Sequence, residues 1–229
     1  MRLTYILAIF GLCTLPLWAQ TVVTNSFSLS PTNTIPDGNP VGVTESFTFS
    51  GVSGTVTNVQ VQLDITGGFS GDLYAYLVSP TGQFCVLFNR PGVGTGNPFG
   101  YSDAGFNITL DGAATNNVHF YQANTYSIAD GQLTGIWAAD GRNLNPQSTP
   151  SAFSSAGTSA GLSLFNGMSG GDVNGTWTLF IADLATGGGS ATFNNVVLNI
   201  MTVPEPQTWA LLAGGGLLWF SRGFRKQKI

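Results

Sequence analysis

Apolar and polar residues alternate along most of this chain, and the clearest run is Val56 to Ile65. Val59, Val61, Leu63 and Ile65 fall on one face, with Gln60, Gln62 and Asp64 on the other. A period of two is the pattern of a strand with one buried face. The same alternation predicts strands over Val22–Leu29, Val43–Phe49 and Asp72–Val78, where Leu73, Ala75 and Leu77 fall together. Gln83–Phe88 runs back after Ser79-Pro80-Thr81-Gly82, a turn with proline at its second position, so these two strands form a hairpin. Further strands are read at Phe106–Leu110, Thr176–Asp183 and Ala191–Ile200. Asp37-Gly38 marks a turn; Asn174-Gly175 and the glycine-rich Ala185–Gly189 read as hairpin signals. Residues 111–160 are weakly patterned, with apolar patches at Val118–Tyr121 and Leu133–Ala138; Asn145–Gly161 reads as an extended surface loop. Many short strands between dense turns predict an all-β protein, an antiparallel β-sandwich.

Composition agrees with that reading. The chain holds 31 glycines, and 8% of its residues are charged, against roughly 25% in an average soluble domain. Its 229 residues accommodate one such domain plus terminal signals. Charge is distributed unevenly. Arg2 is at one end, Arg222, Arg225, Lys226 and Lys228 are at the other, and only Arg90 and Arg142 lie between Gln20 and Val203. The aspartates lie in that same span, so the central region is acidic between basic ends. Nucleic-acid binding needs a basic surface and is set aside. Cys13 falls near the N-terminus, which leaves Cys85 alone in an apolar run, a small core hydrophobe without a disulfide partner.

The two ends read as membrane-directed segments. Residues 1–20 combine Arg2, an apolar stretch to Leu17 and a small residue at Ala19, the pattern of a cleavable signal peptide. At the other end, Trp209–Phe220 is apolar but spans only about 18 Å as helix, short of a ~30 Å hydrocarbon core. Extension from Val203 to Gly223 roughly completes a crossing, with the basic tail on the cytoplasmic side. Pro204-Glu205-Pro206, the short glycine-rich apolar helix and the basic tail together resemble the PEP-CTERM sorting signal. That signal marks exported proteins of Gram-negative bacteria that make an exopolysaccharide or biofilm matrix. The resemblance implies an exosortase as partner, cleavage near Pro204-Glu205-Pro206, and transient anchoring in the inner membrane. Two prolines bar helix and hold that stretch extended for a peptidase. A plain, unprocessed anchor is the simpler alternative.

A second resemblance covers about residues 30–201. Ile35-Pro-Asp, Val59-x-Val-x-Leu-x-Ile-Thr66, Gly71-Asp-Leu, Leu77-x-Ser-Pro-x-Gly82, Asn174-Gly-Thr-Trp-Thr-Leu179 and Ala182-Asp183 occur in an order that resembles the P domain (P/Homo B domain) of subtilisin-like proprotein convertases. The resemblance implies a jelly-roll-like β-sandwich over residues 21–202. It departs at Gly67-Gly68, where the family often has His-Thr, so no role of that histidine carries over. No subtilisin-like catalytic domain precedes the module in this sequence.

Candidate chemistry is sparse. Gly167-Met-Ser169-Gly-Gly171 matches a G-x-S-x-G pattern, but such a serine needs a strand-to-helix elbow and a histidine after it. The chain's single histidine, His119, lies upstream. Asp72, Asp103 and Asp183 sit at strand ends and turns and are the metal candidates, for Ca²⁺ held by hard oxygens. No Asp-x-Asp-x-Asp spacing supports them, and aspartates at such positions also organise loops through bonds to backbone amides. Tyr74 and Tyr76 share one strand face and suit sugar stacking or packing equally. The expectation is therefore a non-enzymatic, exported cell-surface or matrix protein with a binding or structural β-sandwich and a C-terminal sorting segment over residues 203–229. Exopolysaccharide is an expected partner. The alternative is an accessory module acting with a separate protease.

Overall fold

A computed structural model describes residues 22–203. The segment read as a signal peptide, the Pro204-Glu205-Pro206 motif, the apolar run and the basic tail lie outside the described residues. Within them, no helix is long and apolar enough to cross a membrane.

Eleven strands form two sheets. They are β1 (Val23–Leu29), β2 (Asn33–Ile35), β3 (Asn39–Phe49), β4 (Thr55–Thr66), β5 (Leu73–Val78), β6 (Phe84–Asn89), β7 (Gly105–Asp111), β8 (Ser127–Ala129), β9 (Gln132–Trp137), β10 (Gly175–Asp183) and β11 (Ala191–Val203). The larger sheet runs β1-β11-β4-β7-β9-β8, with β2 also on β11, and the smaller runs β3-β10-β5-β6. Both contribute to one core: Val59, Val61, Leu63 and Ile65 from β4 meet Phe47, Leu77, Trp177 and Leu179 from the smaller sheet. The alternation predicted for β4 is the one observed, and from Val59 to Ile65 it places every second residue in the core. The result is the expected jelly-roll-like β-sandwich.

Several connections differ from the sequence reading. β10 and β11 are consecutive but belong to different sheets, so the glycine-rich turn between them is a crossover rather than a hairpin. β7 and β9 pair in parallel, which makes the larger sheet mixed. The segment read as a loop contains the short helix α1 (Pro150–Ser155), which buries Phe153. A one-turn helix, α2 (Gly170–Val173), follows Ser169 in place of a simple turn. The apolar patch at Val118–Tyr121 lies in a 3-10 helix, Val118–Ala123. Glycine is demanded where strands meet closely: at Gly105, φ is +91° and an added Cβ would lie 2.0 Å from the Ile65 carbonyl oxygen.

Candidate functional site

The outer face of the larger sheet presents a ladder of amides and hydroxyls. Register sets Asn195, Asp64, Asn107 and Thr134 side by side across four strands. The next row holds Val197, Gln62, Thr109 and Ile136. Between these rows runs a groove of about 270 Å³, lined among others by Gln62, Asp64, Asn107, Thr109, Ile136 and Asn195. Gln62 and Asn107 are exposed, and Ile136 is 64% exposed. The carboxylates of this face are hydrogen-bonded within the protein, Asp64 through one oxygen and Asp111 through both. Asp64 Oδ1 accepts from Gln132 Nε2 at 2.8 Å and Asn194 Nδ2 at 3.4 Å. Burial works to raise the Asp111 carboxyl, but hydrogen bonds from the Ala113 amide, Asn58 and Gln60 outweigh it and hold the group below its ordinary value. The groove therefore offers amide and hydroxyl donors and acceptors, the Asp64 carboxylate and one exposed apolar contact, a surface matched to a hydroxyl-rich ligand.

The opposite outer face carries Tyr74 and Tyr76, as the alternation requires. Tyr76 stacks on Phe180 with ring centroids 4.9 Å apart and lies 4.8 Å from Phe84, while Tyr74 is 5.9 Å from Tyr76. Much of each tyrosine ring is spent on these neighbours.

Of the metal candidates, the fold brings Asp72 and Asp183 together and sends Asp103 elsewhere. Leu184 N–H donates to the Asp72 carbonyl at 2.9 Å, which sets the start of β5 beside the end of β10. The turn before β3 adds Asp37, whose carboxylate accepts from the Gly187 N–H at 3.2 Å. Asp103 instead accepts hydrogen bonds from the Tyr121 hydroxyl and from Gln122 Nε2. Asp72 is 5% exposed and Asp183 0%. Burial pushes the Asp72 carboxyl up to about 6; the Arg90 guanidinium opposes this and Asp37 adds to it. Burial likewise pushes Asp183 up to about 6, helped by the charges of Asp72 and Asp37 and opposed by the amides of Ala185 and Gly38.

These shifts predict an unusual stability profile. A raised carboxyl pKa means the folded state binds more protons than the unfolded one between about 4 and 6, so stability falls as pH rises through that window. In buffer free of divalent cations, chemical denaturation is expected to show a gain on the order of 2 kcal/mol per carboxylate as pH drops from about 7 to about 4. Below that the gain reverses, as the depressed Asp111 protonates. A profile flat across this window would contradict the burial of these charges.

The groups needed for nucleophilic catalysis are kept apart. His119 is 1% exposed, and both of its ring nitrogens are engaged, Nδ1 with Asp140 Oδ2 at 2.9 Å and Nε2 with the Val93 carbonyl at 3.0 Å. It has no free nitrogen to serve Ser169, which lies at the start of α2 and bridges to Thr55. Burial, with the Asp140 charge second, pushes the Cys85 thiol up to about 12, far from thiolate chemistry. Among the described residues there is no complete catalytic constellation. Sequence reasoning missed the His119–Asp140–Arg142 cluster. Its one signal was that Arg142 is one of only two basic residues in an otherwise acidic span.

No family model matches the chain, and no curated protein matches it. Among solved structures it is similar to the serine protease of Aeromonas sobria in complex with its chaperone, at 14% identity and a TM-score of 0.43. It is also similar to the serine protease of Aeromonas sobria alone, at 13% identity and a TM-score of 0.43. These alignments cover 80% of this chain but only 27% and 28% of the respective protease chains.

Proposed function

We propose that this protein is an exported cell-surface or matrix component whose β-sandwich holds a neutral polysaccharide and carries out no chemistry of its own. The observation that carries the reading is the groove on the larger sheet, where amide and hydroxyl side chains of β11, β4 and β7 line up in register beside Ile136 of β9. A sugar chain offers hydroxyls that pair with Gln62, Asn107 and Thr109, and ring C–H faces that pack on Ile136. On this proposal an exosortase reads Pro204-Glu205-Pro206, the apolar segment holds the precursor in the inner membrane, and cleavage frees it for the matrix. The acidic span between basic ends supports an exported cargo with a cytoplasmic tail. The protease-accessory alternative rests on the P-domain resemblance alone.

One fractionation experiment tests both parts of the proposal. Expressed in a matrix-forming host that has an exosortase, the protein is expected in the matrix fraction. Replacing Glu205 by alanine is expected to retain it in the membrane fraction at precursor mass. The triple replacement Gln62→Ala, Asn107→Ala, Thr109→Ala is expected to be processed normally but shed into the medium, with binding to matrix polysaccharide weakened by about tenfold or more. The reading is wrong if all three proteins partition alike.

A further inference from the structure

We infer that the Asp72–Asp183 pair, with Asp37 at its mouth, forms a divalent-cation site suited to Ca²⁺. Three separate segments deliver these carboxylates to one end of the sandwich: the turn before β3, the 3-10 helix Ser70–Asp72, and the end of β10. Charge balance there is poor. The nearest cation is Arg90, whose Nη2 stands 3.8 Å from Asp72 Oδ1. Its Nε is already committed to the Gly71 carbonyl at 3.2 Å.

Asp183 is the sharper observation. Its side chain is completely buried. Oδ1 has a long contact with the Ala185 N–H at 3.4 Å, the Gly38 amide also stands near the carboxylate, and Oδ2 has no partner in hydrogen-bonding geometry. A buried carboxylate oxygen without a partner is costly, and such groups are normally paired or ligate metal. Oδ2 borders the Cβ position of Gly68, where an added Cβ would meet the Ala191 methyl at 3.1 Å, Oδ2 itself at 3.4 Å and the Gly189 carbonyl oxygen at 3.5 Å. That position is thus framed by one carboxylate oxygen, one main-chain oxygen and the Ala191 methyl. Gly68, at φ +64°, keeps it clear of a side chain. Asp37 is exposed and opens the cluster to solvent.

The donor set selects the ion. Every candidate ligand at the site is a hard oxygen, with no His or Cys among them, so zinc and softer metals are disfavoured. Among the described residues, no three His, Cys, Asp or Glu side chains stand close enough to ligate one ion together. A bound ion must therefore combine carboxylates with main-chain oxygens and water. Ca²⁺ accepts six to eight oxygens in flexible geometry, whereas Mg²⁺ demands a near-ideal octahedron.

Thermal unfolding of the purified full-length chain, stripped with chelator, tests the inference. Adding CaCl₂ to about 10 mM is expected to raise Tm by about 5 °C, saturating with a Kd of about 0.1–1 mM. Equal MgCl₂, or NaCl at matched ionic strength, is expected to give little shift. Asp183→Asn is expected to abolish the calcium shift while raising Tm in chelator, because it removes an unpaired buried charge. Asp37→Asn, at an exposed turn where folding is not at risk, is expected to weaken calcium binding by about fivefold or more, since affinity follows ligand charge. Asp130→Asn, outside the cluster, should leave the shift intact. The inference is overturned if calcium gives no shift beyond that of magnesium or salt, or if the Asp37 and Asp183 variants keep the full shift.

Discussion

Replacing Asp140 by alanine is expected to destabilise the protein by about 3–5 kcal/mol, a large part of a typical domain's stability. Asp140 is 0% exposed and its carboxylate serves three partners. Oδ1 meets Arg142 Nη1 at 2.6 Å, while Oδ2 accepts from the Asn89 N–H at 3.0 Å and faces His119 Nδ1 at 2.9 Å. Without it, the Arg142 guanidinium is left buried with no anion, held only by Phe120, whose ring centroid lies 4.6 Å away. The Asn89 amide also loses its acceptor. Loss of one partner from a buried pair costs far more than the net worth of the pair, because the other charge stays desolvated. The network also ties distant segments together. His119 reaches the Val93 carbonyl, and Asn89 Nδ2 donates to the carbonyls of Arg142 and Leu144. Asp140→Asn is expected to cost less, since it keeps the shape and one acceptor oxygen. Urea denaturation checks both variants; a loss below about 1 kcal/mol for the alanine variant would show that the network contributes little.

The second large effect is expected at Trp177. Its indole is fully buried in β10, sits opposite Phe47 in register, and meets Phe165 edge-on with centroids 4.9 Å apart. Its Nε1 donates to the Val173 carbonyl at 3.0 Å. Trp177→Ala is expected to cost about 3–5 kcal/mol through lost burial and the cavity left behind. The orphaned Val173 carbonyl adds to that. Trp177→Phe retains most of the packing but not the hydrogen bond, and is expected to lose about half as much. The midpoint of urea unfolding reads both. Equal losses for the two variants would place the energy in the hydrogen bond rather than in the packing.

The acidic site was legible in part. Asp72 stands at the start of one strongly patterned strand and Asp183 ends another, so a turn or strand-end role was visible in each. Asp37 was visible only as a turn former, because nothing local says that its turn folds over the end of β10. Asp103 looked equivalent to the others until Tyr121 and Gln122, from the weakly patterned region, claimed its oxygens. The groove was not legible as a site. Gln62, Asp64, Asn107 and Thr109 each read as the solvent side of a strand, and only pairing register places them in neighbouring rows.

The sequence by itself determined the fold class, the main strands and which face of each is buried. These follow from local physics: a period-two pattern fixes its own buried face, and Pro, Asn and Gly fix the turns through φ. The Pro204-Glu205-Pro206 motif and its basic tail were likewise read from the order of residues alone. Only the tertiary structure decided which strands are neighbours. β10 and β11, a hairpin by local signals, are split between two sheets because Trp177 and Phe193 are both buried in one core but approach it from opposite sides. Long-range pairing, such as β1 with β11 or β7 with β9, depends on how all the apolar faces close over that core together. No window of sequence contains that information, and the groove, the acidic pocket and the Asp140 network are all its consequences.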